Sequence, residues 1–413
     1  MTMSDLTSWR ERAAQLDLGD PLASFADAFL PMAREVSAYL DGNSLGRPLH
    51  ATAGALNDLV TTRWSGELIR GWTDGGDPWM AWPQNLGDAI ADACLGAAAG
   101  QTVVADSTTV LLYKLARAGV GARPGRTEIA LDTHNFPTDR YVVEGICAEL
   151  GLTPRWIETD PSGGIEPEEV RAAVGEATAL AVFSNVAYRS AHLADVPAIT
   201  SVVHDAGALV LWDLSHSVGS VPMQLDEWGV DLAVGCTYKY LCGGPGAPAF
   251  GYVRSDLQDA IHQPIQGWMG RAEPFVMGPG YLPAAGIRSL VSGTPPILGM
   301  VGVREGVSLV AQAGIEAIRA KSTALTTFMI ELADEVLGRY DVRVATPRDP
   351  QRRGSHVTIT RSDFREVNAA LWDAGVLTDF RMPDGIRLGL APLSTSYADL
   401  VTATGVIEGL LSA

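Results

Sequence analysis

Leu209-Val-Leu-Trp-Asp213 and, one unit further along, Leu232-Ala-Val-Gly-Cys-Thr-Tyr-Lys239 decide the fold class. Each begins as an unbroken apolar run and leads to a residue that can do chemistry. Neither run alternates apolar and polar residues, which is how strands buried on both faces read. Glu128-Ile-Ala-Leu131 and Ala179-Leu-Ala-Val-Phe183 have the same texture, as do the extensions Ala208–Trp212 and Asp231–Val234. Thr102–Ala105 is also strand-like. Between the runs, Pro137–Leu150, Ala198–Ala206 and Gln224–Gly229 read as helices. Strand and helix in alternation predict an α/β fold with a mostly parallel sheet covered by helices.

Outward from this centre the texture changes. Residues 1–50 read as a polar helix, a short strand Ser37–Leu40 and a turn-rich stretch, Asp41-Gly-Asn-Ser-Leu-Gly46. Residues 51–300 hold the alternating pattern. Residues 301–413 predict a smaller α+β unit. It starts with one long helical stretch, Met300–Leu337, followed by strands at Val342–Val344 and His356–Thr360. A helix at Phe364–Ala374, a strand at Ile386–Leu390 and a helix at Tyr397–Leu411 complete it. At 413 residues the chain suits two or three domains.

Composition narrows the function. The net charge of −18 disfavours nucleic acid or an anionic membrane as partner. No apolar run reaches the roughly 18 residues of a membrane span, and Met1–Arg12 has no leader-like apolar core. Cys94, Cys147, Cys236 and Cys242 have no paired spacing, so a reduced cytoplasmic chain is expected. The seven histidines show no metal-ligand spacing, and no metal is expected. Gly243-Gly-Pro-Gly-Ala-Pro248 matches neither a dinucleotide fingerprint nor a P-loop. Gly42-Asn-Ser-Leu-Gly46 matches G-x-S-x-G, but Pro48 and its place before the sheet argue against a serine nucleophile at Ser44.

Only Lys114, Lys239 and Lys321 are lysines, against 27 arginines. Lys239 follows a buried strand and precedes a glycine loop. Partly desolvated there, its amine becomes nucleophilic towards a carbonyl. Asp213 ends the preceding strand, so a parallel sheet brings both residues to the edge where ligands bind. An acid and a lysine at that edge suit pyridoxal phosphate. Asp106-Ser-Thr-Thr109, between a strand and a helix, offers hydroxyls and free N–H groups to a phosphate. Alone, each has a plainer reading: a surface lysine, and two helix caps.

Taken together, ordered blocks of sequence resemble the kynureninase family. They are Tyr39–Gly46, Asn135–Asp139, Trp212–His216, Thr237–Leu241, Gly267–Gly270, Ser292–Pro295, Arg353–Val357 and Ile386–Gly389. The resemblance runs from about residue 38 to 400. It implies a fold-type I pyridoxal-phosphate enzyme, a homodimer with shared active sites. The reaction it implies is hydrolysis of L-kynurenine to anthranilate and L-alanine, in tryptophan degradation or a secondary-metabolite route. Lys239 would hold the cofactor covalently, Asp213 would face its ring nitrogen and Phe136 would stack on the ring. Thr108, Thr109, Tyr238 and His216 would surround the phosphate, with Asp139 and Ser184 nearby. Tyr238 would also relay a proton. Trp268 and Thr294 would come from the other subunit. Arg387 would grip the substrate carboxylate, Trp72 and Gly293 would line the aryl pocket, and Asn43 and Ser44 would border the site.

Family members often differ at Leu111, Ala187-Tyr188 and Ser190-Ala191, and the segment Asp74–Trp82 is slightly long. The reaction type follows from the resemblance; the preferred ring-substituted kynurenine does not. A cysteine desulfurase on the same fold is the alternative, but it needs a cysteine beyond Cys242.

Overall fold

A computed structural model describes residues 6–412. The first five residues, which carry part of the leader expectation, lie outside the described residues. Seven strands form the large sheet: β1 (Thr102–Ala105), β2 (Glu128–Asp132), β3 (Thr153–Ile157), β4 (Thr178–Ser184), β5 (Leu209–Asp213), β6 (Leu232–Gly235) and β7 (Ala249–Val253). Their order is β1-β7-β6-β5-β4-β2-β3. All neighbours are parallel except β7, which runs antiparallel to both β1 and β6. Every residue of β1, β5, β6 and β7 is buried, so the sheet is covered on both faces. The unbroken apolar runs have this cause.

The chain's C-terminal part builds a four-stranded antiparallel sheet. Its strands are β8 (Arg343–Val344), β9 (His356–Thr360), β10 (Asp379–Arg381) and β11 (Gly385–Gly389), in the order β10-β11-β9-β8. Its apolar cluster includes Phe328, Ile359, Leu388 and Leu400, and it also takes in Leu6 and, from the N-terminal helix Thr7–Leu18, Trp9 and Ala13. Ala38–Tyr39 pairs in parallel with Val376–Leu377, fastening the N-terminal segment to this unit.

Two helix expectations need correction. Met300–Leu337 is not one helix. Ile297–Ala313 and Ile315–Leu332 are separated at Gly314, whose φ of 78° breaks the right-handed run. Gln224–Gly229 is a series of turns, because Gln224–Trp228 closes only one helical hydrogen bond before Gly229 turns left-handed. Conversely, Gly302 and Gly306 do not weaken their helix. They let it touch the backbone of the lysine loop. A Cβ at Gly306 would lie 1.7 Å from the Leu241 carbonyl oxygen, and one at Gly302 would lie 2.2 Å from that of Gly243. Among the described residues no helix is long and apolar enough to cross a membrane, and no cluster of metal-ligating groups occurs.

Candidate active site

The carboxyl ends of β4 and β5 sit side by side, with Ser184 opposite Asp213 in register. The turns beyond these strands, the segment after β6, the N-terminus of the helix Thr108–Gly121 and that of Pro137–Leu150 enclose a small cavity of about 180 Å³. Thr108, Thr109, Phe136, Asp139, Ser184, Asp213, His216, Tyr238 and Lys239 all line it. Nine residues expected around the cofactor therefore converge.

Lys239 is buried, and its Nζ has no hydrogen-bond or ion-pair partner among the described residues. It lies 5.9 Å from the ring centres of both Phe136 and Tyr238. Its loop is held from both sides. The helix carrying Gly302 and Gly306 presses on one. On the other, the Gly46 N–H donates to the Tyr238 carbonyl at 2.8 Å, and a Cβ at Gly46 would lie 2.3 Å from the Lys239 carbonyl oxygen. Asp213 accepts the Ser215 N–H at 2.8 Å through Oδ1.

Charge in this cavity is unbalanced. Burial, then repulsion from Asp213 and Asp132, holds the Asp139 carboxyl well above its ordinary range, although Lys239 opposes this. Asp139 Oδ2 is buried with no partner, as is His216 Nδ1. Burial first, then the charges of Lys239 and Arg387, keeps His216 neutral. Tyr238 retains its proton because burial and the neighbouring Cys236 disfavour the phenolate. A ligand with a cationic ring N–H and an anionic group would complement this set. Asp213 would meet the first, and the threonine hydroxyls and helix N-terminus would meet the second. Pyridoxal phosphate fits that description.

Asn135 was missed as a site residue. Its Oδ1 accepts the Ser184 hydroxyl and the Phe136 N–H, both at 2.7 Å, so it sets the position of two cavity-lining groups. Tyr188, also missed, meets the Phe136 ring edge-on at 5.4 Å.

Arg387 lies apart from this cavity's lining, on β11, and is fully buried. Its Nε donates to Asp379 Oδ1 at 2.7 Å, and Nη2 bonds Asp379 Oδ2. Nη2 also reaches Ser44 Oγ at 3.0 Å, and Nη1 reaches the Tyr188 carbonyl at 2.7 Å. Asp379 carries no signal in the sequence, since β10 and β11 bring it to Arg387 only by pairing. Ser44 is bound to Arg387 and Asp379, with no histidine among its partners, which removes the elbow reading. The Asn43 amide is buried without a partner.

Asp41 precedes this turn. Burial and the adjacent Asp379 push its carboxyl up to about 6. A raised folded-state value makes stability fall as pH rises from about 4 to 6, then level off. Asp41→Asn removes that loss. It is expected to match the parent near pH 4 and exceed it by about 2 kcal/mol at pH 8, read by urea unfolding at both pH values.

Trp72, Trp268 and Thr294 do not join the Lys239 cavity. They surround a separate apolar hollow of about 470 Å³ with Ile69, Met80 and Phe275. Trp268 and Thr294 are exposed, as is Gly293. The segment Asp74–Trp82 is tied down through Asp77, which accepts the Trp82 indole N–H at 2.7 Å and pairs with Arg63 and Arg304.

A family model described as "Kynureninase C-terminal domain" matches residues 318–407. The kynureninase of Pseudomonas fluorescens is 38% identical over 410 residues, 97% of this chain and 95% of that protein. The chain belongs to the kynureninase family. The kynureninase of Burkholderia pseudomallei strain 1106a agrees, at 38% identity over 406 residues with the same coverage. Solved structures establish the fold of this kynureninase-family chain as that of fold-type I enzymes. A cysteine desulfurase from Thermococcus onnurineus NA1 superposes with a TM-score of 0.80 at 18% identity, covering 94% of this chain and 98% of that one. C-DES, solved with glycine covalently linked to its PLP cofactor, gives 0.78 at 17% identity over 91% and 95%. At those identities the likeness extends to the fold alone, so it does not favour desulfuration.

Proposed function

We propose that this chain hydrolyses L-kynurenine, or a ring-substituted kynurenine, to an anthranilate and L-alanine with pyridoxal phosphate. The observation that carries the reading is Lys239, buried in one cavity with Asp213 and without a hydrogen-bond or ion-pair partner among the described residues, in a chain of the kynureninase family. Bound there, pyridoxal phosphate supplies an electron sink for carbanions formed beside the substrate's α-amine.

The chain's residues do the rest. Thr108 and Thr109 would hold the phosphate, Asp213 would meet the ring nitrogen and Phe136 would cover the ring. Lys239 anchors the cofactor, then moves the proton at the substrate Cα. Tyr238, protonated at neutral pH, delivers a proton to the substrate Cβ, which keeps the electron pair of the broken Cβ–Cγ bond. Water adds to the γ-carbonyl, so the Cβ–Cγ bond breaks to a carboxylic acid and an alanine. Arg387 binds the α-carboxylate, and Asn43 and Ser44 close that end.

In a homodimer, Trp72 and Gly293 line the aryl side, and Trp268 and Thr294 reach the cofactor or substrate from the other subunit. Their distance from the Lys239 cavity and the exposure of Trp268, Gly293 and Thr294 support a second copy that brings them to it. Four buried, unpaired thiols suit a reducing cytoplasm. The test is to add L-kynurenine to cofactor-loaded protein and follow anthranilate fluorescence. A rise is expected. No product from kynurenine or 3-hydroxykynurenine would overturn the assignment.

A further inference from the structure

Lys114 is one of three lysines, and the proposed reaction does not use it. It lies inside the helix Thr108–Gly121 and is fully buried. Lysines are almost never fully buried unless paired. Its Nζ bonds Asp106 Oδ2 and donates to the Leu290 carbonyl at 2.8 Å.

Asp106 links β1 to that helix and has a φ of 46°. Left-handed backbone is costly for a residue with a Cβ. Local hydrogen bonds fix the rest of the loop. The Asp106 carbonyl accepts the Ala249 N–H at 3.0 Å, and Ser107 Oγ caps the helix through the Val110 N–H. The direction in which Ser107, Thr108 and Thr109 enter the cavity thus depends on the turn at Asp106.

We propose that Lys114 is a positioning residue that holds Asp106 left-handed and so pre-forms the phosphate cradle at Thr108 and Thr109. This rests on the reading that those threonines bind the cofactor phosphate. The ammonium never touches the ligand. It acts through Asp106 from behind the helix, with the Leu290 carbonyl fixing its second donor. Without it, Asp106 relaxes to the right-handed region and the two threonines turn from the cavity.

Glycine separates this role from plain core support, because it adopts positive φ without a Cβ penalty. Pyridoxal phosphate affinity is measured by titration, with thermal unfolding of each variant alongside. Lys114→Met is expected to bind roughly tenfold more weakly. Adding Asp106→Gly is expected to restore most of that loss although the ion pair is gone. If Lys114→Met fails to fold, Lys114→Gln, which keeps an amide donor, takes its place with and without Asp106→Gly. Wild-type affinity in the single variant, or no recovery in the double, would overturn the proposal. Wild-type protein that takes up no pyridoxal phosphate would overturn the parent reading and this one with it.

Discussion

Lys239→Ala protein is expected to lack the absorption band at roughly 420 nm that marks lysine-linked pyridoxal phosphate, and to lose at least about 10³-fold in turnover of kynurenine. Two functions disappear together: the covalent anchor, and the base that moves the Cα proton. The fold should survive, because Lys239 Nζ holds no hydrogen bond or ion pair among the described residues, so no acid is left newly unpaired. Its loss does remove a positive charge that opposes protonation of Asp139. Asp139 is then expected to stay protonated to still higher pH. Unchanged circular dichroism without that band would match this account. Active Lys239→Ala protein that still showed the band would mean that another group does the work, and would remove the basis for placing the site at β5 and β6.

The large sheet was legible because its physics is local. A strand buried on both faces must be apolar throughout, and β2, β4, β5 and β6 announce themselves that way. Asp213 and Lys239 were legible for the same reason, as polar residues just past such runs. The helix break at Gly314 was harder, since Gly302 and Gly306 look identical in sequence. What distinguishes them is the neighbour: two face the lysine loop's backbone and one turns the chain. Asn135 and Asp379 escaped because their roles exist only after pairing, Asn135 across β2 and β4 and Asp379 across β10 and β11. Lys114 was noticed for its rarity, but its partner, the Leu290 carbonyl, is 176 residues away. Trp72, Trp268 and Thr294 were named through resemblance alone, and no property of one chain carries them to Lys239.

Arg387→Lys is the other change with a large expected effect. Arg387 has five N–H donors in a fixed plane, and four are already used, on Asp379 twice, Ser44 and Tyr188. The substrate carboxylate must therefore take the remaining donor and displace Ser44 or the Tyr188 carbonyl. A planar fork can do this while Asp379 keeps hold of its other edge. A lysine has three donors on one atom and cannot serve Asp379 and a second carboxylate in that geometry. Losing one bidentate, charge-assisted contact should raise KM for kynurenine by about 10²-fold. Pyridoxal phosphate affinity should stay unchanged, because Arg387 does not line the Lys239 cavity. Stability should hold too. Burial raises the Asp379 carboxyl, but Arg387 and Arg381 outweigh that, and Arg381 at 2.6 Å remains to pair it in the variant. Steady-state kinetics beside a cofactor titration separates the two sites. If KM stayed at the parent value, the substrate carboxylate would have to bind elsewhere, and Arg387 would be only the counter-charge of Asp379. If KM rose and cofactor affinity fell together, the change would have spread through Tyr188 to Phe136, making the two sites one mechanical unit.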